Sequence, residues 1–391
     1  MPGWLNTQLL VSAATNIIVV HVILISVAYL IWVERKVASY VQDRIGPNRV
    51  GFDFGFPQLS FLKGCLGLGQ PLADGIKFLL KEDYTPSNVD KVLFTLAPAI
   101  IIIPALIGFV IIPWGGVWHV GEFTIPWVNA HFDAMDVVVA GANVNIGIVY
   151  LLAVASLGVF GVTLGGWASN NKFSFLGSLR ATAQMISYEI PMGLSILAVL
   201  LLVGSTRAMD IIGYQQEHGW LVFSQPLAAL IFMVCALAEA NRAPFDNAEA
   251  EQELVGGYHT EYSSMRFALF FLAEYAHLVT STAFFVLFFL GGFEAIPFLN
   301  IFGIEATGFL LVLAKFAVFL GKVVAIVSFT MVIRWTFPRL RYDQVMMVAW
   351  AAVIPLSLLV VIGSSVMVYL GKTQMPWMLA ANAGMVALAF L

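Results

Sequence analysis

The chain has 391 residues, of which 60% are hydrophobic and only 11% charged, with a mean hydropathy of +0.90 and a formal net charge of −4. A water-soluble globule is excluded, because such a composition leaves far more apolar surface than a core can hide. The chain reads instead as an all-α, polytopic membrane protein, one transmembrane domain over residues 1–391.

Two cysteines, Cys65 and Cys235, lie far apart and outside any Cys/His cluster, so neither an iron–sulfur nor a zinc site is supported. No internal repeat and no nucleotide-binding glycine loop is present. Of the six histidines only His21 and His277 fall in apolar runs, and polar packing explains them better than a haem pair.

In chain order, Leu9–Val33 is the first span, with Asn16 and His21 in its body and Glu34-Arg35-Lys36 at its end. No cleavage site follows, so it is expected to be retained. A polar turn from Asp43 to Arg49 leads to Leu59–Leu80, whose glycines and lysines suit an amphipathic helix in the interface better than a span. Residues 34–91 together form the first cytoplasmic loop. Further spans are expected at about Val92–Ile112, Ile146–Gly165, Ile186–Val203, Leu221–Ala238, Phe267–Leu290, Gly308–Ile333 and Val345–Tyr369, which makes eight. Met375–Leu391 is apolar but only 17 residues long, at the lower limit for about 30 Å of hydrocarbon, and is an even choice for a ninth. Gly158, Gly161 and Gly165 in the third span mark close helix packing.

Orientation follows from the basic residues between spans, since basic loops stay in the cytoplasm. The loops after spans one, three, five and seven carry 15 lysines and arginines, those after the even spans only 2. The N-terminus is therefore expected outside, with residues 34–89, His259 and Tyr342 on the cytoplasmic side and His131 and Glu294 on the other.

The densest charge lies in Ala238–Tyr275, where seven acids (Glu239, Asp246, Glu249, Glu251, Glu253, Glu261, Glu274) accompany two arginines, Arg242 and Arg266. Acids gathered at a membrane boundary point to proton-linked chemistry, since burial and mutual repulsion disfavour their charged forms. Residues 239–266 make an acidic cytoplasmic loop in which Asp246-Asn247-Ala248-Glu249 has capping-box spacing and Gly256-Gly257 would end a short helix. Glu249 and Glu253 would share a face of it, which is unfavourable without an arginine, Arg242 being nearest, or a shared proton. Glu189 and Glu274 fall within or beside apolar runs, where an unpaired carboxylate is costly, so both should face the bundle interior. Pro191 loosens the helix beside Glu189. Lys315 and Lys322, seven residues apart, lie within roughly 20° of one another on one helix face and need acids opposite. With Glu189, Glu239 and Glu274 they make a chain of titratable groups suited to a proton path, although plain ion pairing would place them similarly.

Several motifs then coincide: Val33-Glu34-Arg35-Lys36, Arg44-Ile45-Gly46-Pro47-Asn48, Gln70-Pro71-Leu72-Ala73-Asp74, Gly166-Trp167-Ala168-Ser169-Asn170, Ser187-Tyr188-Glu189, the whole central stretch, and Pro338-Arg339-Leu340-Arg341-Tyr342-Asp343-Gln344. Over about residues 20–350 the chain resembles the H-subunit family of respiratory complex I, the bacterial counterpart of mitochondrial NADH dehydrogenase subunit 1. The resemblance implies a subunit of proton-translocating NADH:quinone oxidoreductase in the bacterial plasma membrane, not catalytic alone. It would sit beside the peripheral arm and help form a quinone chamber. Glu34, Arg35 and Asp74 would line the chamber or its mouth, and Arg242, Asp246, Glu249, Glu251, Glu253 and Glu261 its acidic floor. Glu189, Glu239, Glu274 and Tyr275 would continue the path into the membrane. Implied partners are the other membrane subunits, the quinone-site subunits of the peripheral arm, membrane lipid and quinone. No nucleic acid, flavin, iron–sulfur cluster, haem or metal is expected in this chain. Between Gly51 and Gln70 it has roughly a dozen more residues than short family members, which alters the entrance. Competing readings are the membrane anchor of a related hydrogenase or formate hydrogenlyase, and a stand-alone proton-coupled transporter; the latter should show symmetry between halves, and none is visible.

Overall fold

The computed structural model describes residues 6–53, 63–125, 130–248, 251–296 and 308–389. Seven helices in it are long and apolar enough to cross a membrane. The first, α1 (Thr7–Val41), is started by the Asn6 side chain, which accepts from the Leu9 amide at 2.9 Å. It does not stop at Val33, where apolar character stops. Glu34-Arg35-Lys36-Val37-Ala38 keep helical geometry, and the helix ends only before Asp43, whose φ is 56°.

The amphipathic segment is shorter than expected. A 3₁₀ turn at Cys65–Gly67 precedes α2 (Gln70–Leu80), with Pro71 in the first turn, where its missing N–H is harmless. Residues 54–62, the early part of the expected segment, lie outside the described residues. The Asp90 side chain caps α3 (Lys91–Ile107), which tightens into a 3₁₀ turn through Ile111.

A departure from pure helix follows. Four short strands, β1 (Val117–Val120), β2 (Phe123–Ile125), β3 (Ala130–Phe132) and β4 (Met135–Val138), pair antiparallel as β1 with β4 and β2 with β3. His119 and Asp136 stand opposite one another there and bond at 2.7 Å. The Gln8 side chain ties the start of α1 to this hairpin through both backbone groups of Val138.

Then come α4 (Gly147–Ala168) and α5 (Lys172–Val203), the latter capped by Asn171 and starting well before the expected Ile186. After α6 (Ala208–His218), the expected fifth span is broken into α7 (Leu221–Ser224) and α8 (Pro226–Glu239). Pro226 supplies no amide to carry the helix through Gln225. A four-residue helix, α9 (Glu251–Leu254), precedes α10 (Ser264–Phe289) and α11 (Phe309–Thr336). The last span runs from α12 (Tyr342–Met347) through a π-helical stretch, Val348–Val353, into α13 (Ile354–Tyr369). Pro355 sits just after the wide turn, which accommodates its lost hydrogen bond. Finally α14 (Met375–Ala389) has 15 residues, about 22 Å, and falls short of the roughly 30 Å of a hydrocarbon core.

The bundle is built around α10: 83% of its apolar window is buried, against 22% for α1. A helix apolar on all sides belongs at such a centre. The glycine stripe of α4 is what lets its neighbours close in. A Cβ at Gly161 would meet the Ile101 backbone nitrogen of α3 at 2.7 Å, and one at Gly165 the Phe270 ring of α10 at 3.0 Å.

Candidate functional site

Four elements converge on Glu34. Because α1 continues past Val33, this carboxylate is carried inward and is only 8% exposed. Tyr275 of α10 donates its hydroxyl to Oε2 at 2.5 Å, the Arg334 guanidinium of α11 contacts Oε1, and Arg242, just beyond α8, stands 3.6 Å away. Arg242 also reaches Glu274 of α10 at 3.4 Å and lies over the Tyr275 ring, 4.1 Å from its centroid. Two carboxylates against two guanidiniums make the cluster neutral. That is the condition under which charges can be kept at such depth, since isolated ones are costly to desolvate.

The next residue of α1 looks elsewhere. Consecutive helical residues are about 100° apart, so Arg35 projects away from the cluster and pairs with Asp74 of α2 at 2.8 Å. Lys77 and Gln70 hold the same carboxylate at 3.7 and 3.2 Å. These groups rim a cavity of about 690 Å³ between α1, α2 and α10, whose walls are otherwise apolar: Ile25, Trp32, Phe52, Leu72, Phe78 and Phe271 among them. The volume lies in the usual range for a small-molecule site.

The acidic loop is not a free anionic surface. Asp246 bonds Arg339 of the α11–α12 turn at 2.5 Å, Glu253 bonds Arg180 of α5 at 2.6 Å, and Glu261 accepts from the Asn171 side chain at 2.5 Å. Each acid is thus tied to a different element. Glu249 and the side chain of Glu251 lie outside the described residues, so the expected Glu249–Glu253 pairing does too. Nearby, Tyr262 stacks on Phe94 at 4.0 Å, and burial pushes its hydroxyl above the ordinary phenol range.

Deeper in the bundle, Glu189 of α5 accepts from the Ser156 hydroxyl of α4, and Glu239, the last residue of α8, is 8% exposed with Glu189 near it. Glu34, Glu274, Arg242 and Tyr275 are therefore brought into one cluster, with Glu239 and Glu189 beyond it. Lys315 and Lys322 are not brought to these acids. They face the segment after α10, where Lys322 donates to the carbonyls of Leu290, Gly292 and Glu294 and lies over the Trp220 ring, while Lys315 approaches the Phe293 ring. The acid opposite them is Glu294, 2% exposed, whose carboxyl is pushed above the ordinary range by burial and drawn back in part by Lys315 and Lys322.

Sequence reasoning missed Arg334, which reads there only as a basic residue ending an apolar run. It also treated Glu294 as a loop marker. Its position within three residues of Gly291-Gly292, where a chain can turn tightly with positive φ, is the available signal.

Among the described residues no group of three or more His, Cys, Asp or Glu is arranged to hold a metal ion. The family model described as NADH dehydrogenase matches residues 14–365. The chain is 43% identical over 350 residues to an NADH-quinone oxidoreductase H subunit of Cytophaga hutchinsonii, covering 89% of this chain and 94% of that one. To an H subunit of the same enzyme from Geobacter sulfurreducens it is 42% identical over 362 residues (92% and 96% covered), and to that of Flavobacterium johnsoniae 42% over 347 residues (88% and 91%). With the model matched from the first span through most of the last and this identity sustained over nine-tenths of the length, the chain belongs to the NADH dehydrogenase family.

Proposed function

We propose that this chain is the membrane subunit of an NADH:quinone oxidoreductase in which quinone reduction is joined to proton movement. The observation that carries the reading is a shared wall. Glu34 and Arg35 are adjacent on α1, yet one sits in the buried ionic cluster and the other on the rim of the apolar cavity. A quinone suits that cavity chemically, with an isoprenoid tail against Ile25, Leu72 and Phe271 and a carbonyl head toward Arg35 and Lys77. Reduction there takes up protons, and the charge change is felt across one helix by Glu34, then by Arg242, Glu274 and Tyr275, and beyond them by Glu239 and Glu189. Asp246, Glu253 and Glu261 edge this region from the cytoplasmic side, and Glu249 and Glu251 belong to the same acidic loop in sequence. The chain supplies no oxidation of NADH by itself and works with the other membrane subunits and with the peripheral arm that brings electrons.

In this reading the N-terminus lies outside the bacterial plasma membrane, on the count of basic residues between spans, and the loop contacts agree that the basic loops share one side. Arg266–Asp83, Arg180–Glu253 and Arg339–Asp246 link the four basic loops, whereas the strand pairs join the start of α1. Exposed apolar residues such as Ile17, Ile18, Ile25 and Leu310 then face lipid or neighbouring subunits.

A quinone with a photoreactive tail, irradiated in membranes holding the assembled complex, tests the reading. Label should appear in peptides from α1, α2 and α10 and be competed by unmodified quinone. Competed label in this chain only at other helices would sink the chamber assignment.

A further inference from the structure

Between α3, α4, α5, α8 and α10 lies a small cavity of about 20 Å³, room for one water molecule. Glu239 of α8 and His277, Thr280 and Ser281 of α10 are its polar lining, and the remainder is apolar or glycine. The Thr280 hydroxyl is already engaged with the Ala276 and Ala105 carbonyls, at 2.7 and 3.1 Å. His277 is different: it is 6% exposed, and its Nε2 has no hydrogen-bond partner. The backbone of Ile101 on α3 lies beside the ring. Gly158 of α4 seats it, since a Cβ there would meet Nε2 at 2.9 Å and Cε1 at 3.1 Å. A buried imidazole so seated, with its Nε2 unmet and a buried carboxyl group lining the same cavity, calls for more than packing.

We propose that His277 is a proton-holding station of the intramembrane acid chain, accepting through one water the proton that Glu239 gives up. The inference rests on the coupling role proposed above. In the step, the O–H bond of the Glu239 carboxyl breaks and an N–H bond forms at Nε2, leaving a carboxylate and an imidazolium across the cavity; the reverse transfer resets it. The cavity's total charge does not change, so no uncompensated charge appears inside the membrane. The remaining ionisable groups near this pair are few. Glu189 of α5, held by Ser156, acts on Glu239, and Cys235, one turn back on α8, lies near it, while the cavity-lining residues of α3, α4 and α5 carry no titratable side chain.

The test uses the whole complex in reconstituted vesicles, reading quinone reduction, membrane potential and the amount of assembled complex. His277→Gln keeps size and hydrogen bonding but cannot hold the proton; potential generation should fall at least about tenfold with assembly intact, as for loss of a positioned acid–base group. Added imidazole should restore quinone reduction in His277→Ala, whereas pyrazole, of equal size but a far weaker base, should not. Wild-type potential in His277→Gln overturns the proposal, as does rescue by both heterocycles or by neither. Glu239→Gln separates the two levels: if it abolishes the potential while His277→Gln does not, only this inference fails, and if neither variant changes it the acid chain itself is refuted.

Discussion

Two buried ionic clusters at opposite ends of the bundle solve the same problem differently. Around Glu34 the cations are arginines, whose planar forks meet carboxylates directly, and positive and negative side chains balance. Around Glu294 the cations are lysines, and Lys322 spends its three donors on backbone carbonyls at the end of α10 rather than on the carboxylate. A guanidinium stays charged at any accessible pH, so the first cluster is a fixed lattice in which only acids and Tyr275 can change state. An ammonium among carbonyls serves as a helix cap, and the acid beside it feels the lysines only in part against its burial.

The largest effect should come from the arginine cluster. Arg242→Leu removes the guanidinium shared by Glu34 and Glu274, and breaking a buried pair from one side costs about 3–5 kcal/mol. Little assembled complex should remain in membranes. Adding Glu274→Leu should recover part of it, and if the double variant is no better than the single one the pair is not coupled. Lys322→Met comes next. Leaving buried carbonyls unmet costs about 1–3 kcal/mol, which would appear as a lower thermal midpoint of the purified complex with quinone affinity unchanged; an unaltered midpoint would show that those carbonyls find other donors.

Glu294→Gln gives a smaller and pH-dependent effect. The folded-state carboxyl is raised above its usual 4.5, so the native state prefers it protonated. Its contribution is present below that value and lost as pH rises through the raised one. The variant should therefore be more heat-stable than wild type at neutral pH, with the gap closing as pH falls toward 4.5; a gap that widens on acidification contradicts the assignment. Smallest of all should be the stability effect of Glu253→Gln. Its pair with Arg180 is half exposed, at 52% and 32%, and such pairs are worth about 1 kcal/mol or less. Assembly should survive, and a fall in quinone turnover would then report electrostatic action of the loop, whereas unchanged turnover would reduce Glu253 to a strap.

The spans were legible because a long apolar run has few alternatives once it is in lipid. The break at Gln225-Pro226 was signalled by a proline that the hydropathy reading ignored. The strands between α3 and α4 are three or four residues each and are held by pairing across the hairpin, which no local pattern reveals. At the site, the intramembrane position of Glu274 and the common face of Lys315 and Lys322 followed from spacing alone. Their partners did not. Which cation meets which acid depends on how helices far apart in sequence are set against one another, and so Arg334 was found only in three dimensions, as was the turn that returns Glu294 toward α11.

One peptide bond separates Glu34 from Arg35, and that limits how the molecule can be changed by selection. A substitution that shifts α1 to suit a bulkier occupant of the cavity must also move the carboxylate held by Tyr275 and Arg334. Adjacent helical residues are about 1.5 Å apart along the axis, so there is no slack to absorb the shift between them. Taste for a substrate and grip on charge are thus inherited together, and variation in one should be found beside compensating variation on α10 and α11.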